Sequence, residues 1–94
     1  MIKHVVCFKI KDGESIDKAV EVLKSMEGKV KQIKGIEVGK DQLHSSRSYD
    51  IMLTVILEDM EALEEYQRDE YHVNVVKEHM HKVRESSIAI DYEI

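Results

Sequence analysis

The chain opens on a regular alternation. In Ile2-Lys3-His4-Val5-Val6-Cys7-Phe8-Lys9-Ile10, the residues Ile2, His4, Val6, Phe8 and Ile10 fall on one face of a strand, because successive side chains point to opposite faces. Asp12-Gly13 breaks that pattern. The period then changes. Ile16, Val20, Leu23, Met26, Val30 and Ile33 recur in steps of three and four, which predicts an amphipathic helix. Ser15 is its expected N-cap, Gly35 its expected stop and Gly28 a weak point within it. Ile36 to His44 reads as a second strand, Ser45-Ser46-Arg47-Ser48 as a polar turn, and Tyr49 to Leu57 as a third strand. The short connection predicts an antiparallel hairpin. Tyr49, Ile51, Leu53, Val55 and Leu57 share one face of its second arm. Asp59 can cap a helix that carries Met60, Leu63, Tyr66 and Gln67. Helical phase is lost around Asp69-Glu70 and resumes with His72, Val76, His79 or Met80, and Val83. Ser87 to Ile94 alternates again, with Ile88, Ile90, Tyr92 and Ile94 on one face.

The order strand, helix, strand, strand, helix, strand predicts an α+β, ferredoxin-like βαββαβ fold: a four-stranded antiparallel sheet with helices on one face. The other face would hold Val5, Cys7, Met52, Thr54, Ile56 and Ala89, which is too apolar for water. Packing against a second sheet resolves this, so a homodimer joined sheet to sheet is expected.

Length and charge narrow the picture. The 94 residues suit one small domain spanning 1–94. A net charge of −5 with scattered basic residues argues against a nucleic-acid partner. No apolar run reaches the roughly 20 residues needed to span a bilayer, so no membrane role is expected. The opening strand pattern is unlike a signal peptide and Cys7 is the only cysteine, so a cytoplasmic location is expected.

His4 is the polar exception on its strand face. A buried imidazole needs either a hydrogen-bond partner in the core or a cavity shared with other polar groups. Three stretches bear on that choice. They are Ile2 to Gly13; Gly39-Lys40-Asp41 followed by Tyr49-Asp50-Ile51; and Glu61-Ala62-Leu63-Glu64-Glu65-Tyr66 with His72 beyond. In this order and spacing, over nearly the whole chain, they resemble the stress-responsive A/B barrel (Dabb) family. The resemblance implies a dimeric α+β barrel made of two facing four-stranded sheets. The family includes a plant polyketide cyclase that closes a ring by intramolecular aldol condensation. By resemblance its functional residues correspond here to His72, Tyr66 and His4. The chain departs from the family where a His-Pro pair commonly precedes the second histidine: here the stretch is Asp69-Glu70-Tyr71-His72. It departs again in the first helix, where Val20, Leu23 and Met26 replace the aromatic residues of the cyclase pocket.

The chemistry of those three residues is coherent. An aldol-type reaction needs a base to remove a proton beside a carbonyl and a donor to steady the enolate oxygen. Histidine, with an ordinary pKa of about 6.5, suits the first task and a protonated tyrosine the second. On one straight helix, Tyr66 and His72 would point about 120° apart, so they converge only if the chain breaks near Asp69-Glu70. His79-x-His81 points its two rings away from each other on a helix, and no metal or other cofactor is expected. The reading is a dimer that binds a small apolar or aromatic molecule between sheet and helices, with His/Tyr acid–base chemistry of cyclase or lyase type. The alternatives are a non-catalytic stress-related or structural dimer and a cofactor-free monooxygenase of the same fold.

Overall fold

In the computed structural model, which describes residues 1–94, β1 (Ile2–Ile10) is the spine of the sheet. It pairs antiparallel with β3 (Ile51–Leu57) on one side and with β4 (Arg84–Glu93) on the other. The edge strand β2 (Gly35–Lys40) pairs with β3, giving the order β2-β3-β1-β4. The helical elements are α1 (Ile16–Lys24), α2 (Met60–Arg68), a π-helical segment (His72–Lys77) and α3 (Glu78–Val83), which follows it directly. This is the ferredoxin-like α+β arrangement that the alternation predicts.

The inner face is built by the expected rows. Phe8 and Ile10 of β1 and Ile51, Leu53, Val55 and Leu57 of β3 pack against Ala19, Leu23, Leu63 and Tyr66 in one buried cluster. Burying side chains of this size contributes about 1.5–3 kcal/mol each, which makes this face the main source of stability.

Four expectations need correction. The first helix ends at Lys24, not near Gly35. Ser25 closes it by donating its hydroxyl to Val22 O at 2.6 Å. From there to Ile33 the chain runs through turns whose bonds include Glu27 N to Lys24 O and Ile33 N to Val30 O. Gly28, at φ +79°, supplies the left-handed step. Met26 and Val30 are nevertheless buried. Successive turns with bonds three and four residues apart keep a helix-like spacing, so periodicity cannot separate the two.

The second strand ends at Lys40 rather than His44. The Asp41 carboxylate accepts the His44 amide at 2.7 Å, and His44 sits at φ 55°, outside any strand. That backbone hydrogen bond holds the Asp41 carboxyl below its ordinary range. The last strand begins at Arg84 rather than Ser87, and its register corrects a face assignment. Val6 pairs with Ala89, so Ala89 lies on the inner face, while Ile88 and Ile90 lie opposite Cys7 and Val5 on the outer one. The outer face is therefore more apolar than expected. Met52, Ile88, Ile90 and Tyr92 are all exposed on it.

Candidate active site

The site forms where the inner face meets β4. His4 and Asp91 are register partners on β1 and β4. His4 is 6% exposed, and its Nδ1 hydrogen-bonds the Asp91 carboxylate. An ionised carboxylate only accepts, so the Nδ1 proton belongs to His4. Asp91 thus fixes the tautomer and the tilt of the ring and leaves Nε2 as the nitrogen free to exchange a proton.

Tyr66 comes from α2. That helix starts at Asp59, whose carboxylate accepts the Ala62 amide at 2.9 Å. Leu63 and Tyr66 are its buried residues. The Tyr66 ring has no exposed surface and stands edge-on to His4, with ring centroids 5.5 Å apart. Its hydroxyl donates to Met26 Sδ at 3.7 Å, a weak acceptor. Burial, with the nearby carboxylates of Asp69 and Asp91, pushes the phenol well above its ordinary pKa. Tyr66 is therefore a proton-bearing donor at any physiological pH.

His72 reaches the same place through the break in the helix. Asp69 leaves helical geometry at ψ 134° and so ends α2. Its carboxylate then accepts the His72 amide at 3.0 Å, and its carbonyl accepts the Val73 amide at 2.8 Å. One residue closes the first helix and caps the start of the next segment. The turned segment brings the His72 ring to stack on Tyr66, with centroids 4.2 Å apart and planes 25° apart. Tyr66 O accepts from His72 Nδ1 at 2.8 Å. A carbonyl can only accept, so Nδ1 is protonated and Nε2 carries the lone pair. Burial is the main reason that His72 titrates below its ordinary value; the Lys77 and His4 charges add to this, and the carbonyl bond and Asp69 partly oppose it. A neutral imidazole with a fixed tautomer is the form a general base requires.

All three expected residues line one cavity of about 220 Å³. Its apolar wall is Val6, Phe8, Leu23, Leu53, Val76 and Met80. Of the first-helix trio flagged in the sequence, only Leu23 reaches it. His81 also lines the cavity, whereas its neighbour His79 does not. The sequence reading missed Asp91, Lys77 and Arg84. Asp91 carries one signal: it is a carboxylate sharing the parity of Ser87 and Ala89, opposite the apolar row of β4. What cannot be read from the chain is the register that sets it beside His4.

Comparison with known proteins bears on this arrangement. The profile of the Stress responsive A/B Barrel Domain matches residues 2–94. No curated protein sequence matches significantly. Among solved structures, the Arabidopsis thaliana protein At3g17210 superposes with a TM-score of 0.87 at 23% identity, over 100% of this chain and 95% of that one. A dimeric protein of ferredoxin-like fold from Bacteroides fragilis gives 0.78 at 24% identity, over 99% and 95%. A hydroxynitrile lyase from Passiflora edulis gives 0.84 at 14% identity, over 99% and 92%. At these identities the likeness is one of fold.

Proposed function

We propose a function from one established premise: the chain belongs to the stress-responsive A/B barrel domain family. The protein binds a small organic carbonyl compound in the cavity and performs acid–base chemistry on it, of the kind used in aldol closure or lyase cleavage. His72 Nε2 is the base that removes a proton beside the carbonyl. The Tyr66 hydroxyl exchanges its weak thioether partner for the developing enolate oxygen, a far better acceptor. The proton taken by His72 is then returned to the product oxygen, with His4 Nε2, oriented by Asp91, accepting it and passing it on. The carrying observation is the bond from His72 Nδ1 to the Tyr66 carbonyl, which places the ring proton on Nδ1 and leaves Nε2 as the basic nitrogen in the wall of the cavity. The catalytic unit is a homodimer, supported by the exposed Met52, Ile88, Ile90 and Tyr92 on the outer sheet face and by the dimeric relative in fold. The Passiflora edulis lyase supports the class of chemistry on this scaffold.

The test is deuterium exchange into the methyl group of acetophenone, a small aryl ketone, followed by NMR in D2O. Wild-type protein should accelerate exchange over buffer. His72→Ala should lose about 100-fold or more of that acceleration, the size expected for removing a general base. Light scattering should give two-chain mass for both proteins. Equal exchange rates for the two would remove His72 as the base. Binding of the ketone without any exchange would leave the non-catalytic reading, and one-chain mass at micromolar concentration would remove the dimer.

A further inference from the structure

The polar part of the cavity wall has a consistent sign. Lys77, His81 and Arg84 line it, and no aspartate or glutamate does, in a chain whose acidic residues outnumber its Lys and Arg by 19 to 14. Their spacing of four and then three places them on one side of α3, from the residue before it to the residue after it. Neither permanent cation has a carboxylate partner. Lys77 Nζ reaches only the Gln67 carbonyl, at 3.3 Å, and Arg84 Nη1 only the Ser87 hydroxyl, at 3.5 Å. Both side chains are half-buried, whereas Lys82 on the same helix is exposed and paired with Glu78 at 3.2 Å. Two unneutralised cations beside a pocket with an apolar floor make a site for a molecule that is apolar at one end and anionic at the other. The guanidinium of Arg84 presents a planar fork suited to two oxygens of a carboxylate.

We propose that the ligand of this cavity is a small monocarboxylate with an aromatic or short alkyl body, its carboxylate held by Arg84 and Lys77 and its body against Val76 and Met80. This rests on the small-molecule reading of the site and adds the substrate class. The volume of about 220 Å³ sets the size. A cavity of roughly 150 Å³ admits benzene, so one ring with a short acidic arm fits.

The experiment compares 3-phenylpropanoate with its neutral counterpart 3-phenylpropanamide, by calorimetry and by amide shifts of Val76 and Ala89 in NMR. The acid should bind about tenfold or more tightly at low salt, the scale of one charge-assisted pair. Combining Arg84→Gln with Lys77→Gln should bring the acid down to the affinity of the amide. Lys82→Gln should leave the preference intact. Equal binding of both probes to the wild type, or a preference that survives the double substitution, overturns the anion site and leaves the small-molecule reading standing. If neither probe binds at about 10 mM, both readings fall.

Discussion

The inner face of the sheet has two halves under the same layer of helices, and they are built differently. Over β3 the inward row is Ile51, Leu53, Val55 and Leu57, all buried in the core cluster with residues of α1 and α2, and only Leu53 among them also reaches the cavity. Over β4 the inward row is Ser87, Ala89 and Asp91, small or polar and exposed. The cavity exists because those β4 side chains do not fill the space below the π-helical segment. His4, Tyr66 and His72 stand where the filled half meets the open one. Packing and open space are thereby separated by strand: bulk on β3 holds the fold, and the lack of bulk on β4 leaves the cavity.

The comparison is broken most severely in the filled half. Leu57→Ala removes a fully buried side chain and should cost about 2–5 kcal/mol, read as a lower midpoint in urea at unchanged slope. A loss below about 1 kcal/mol would mean that the β3 row does not dominate. The converse change in the open half is Ala89→Leu. It should alter stability by only about 0.5 kcal/mol, since the position is exposed, while filling the cavity and abolishing probe binding. Retained binding in that variant would place the ligand elsewhere.

The smallest expected effect concerns pH. His72 titrates below its ordinary value in the folded protein. Between the folded pKa and about 6.5, the unfolded chain binds more protons than the folded one, so stability rises with pH through that window. The full contribution is present above about 6.5 and is lost as pH falls toward the folded value. His72→Gln should flatten that slope in urea melts below about pH 6.5. An unchanged slope would mean that another group accounts for the acid sensitivity.

Much of the fold is legible because it rests on local periodicity. The alternations of β1 and β3 name their own inner rows, and Ser15 and Asp59 cap the helices where the sequence puts them. Elsewhere the same signal misleads. The apolar spacing from Met26 to Ile33 is realised by turns, and the β2 pattern is cut short by the Asp41 side chain. The site is legible in part. Tyr66 and His72 are out of helical phase, and the phase loss at Asp69 is what allows them to stack. Asp91 is invisible as a site residue because its role depends on which strand it faces.

The element order, the inner rows of β1 and β3, and the single imidazole on an apolar strand face are legible along the chain. Each of these is a property of neighbouring residues and follows from side-chain direction and period. It takes the folded chain to set His4 against Asp91, Tyr66 between two imidazoles, and Lys77 and Arg84 on a cavity whose lining has no carboxylate. Those relations are set by strand register and by the angle at which one helix ends and the next begins, neither of which is a property of a local repeat.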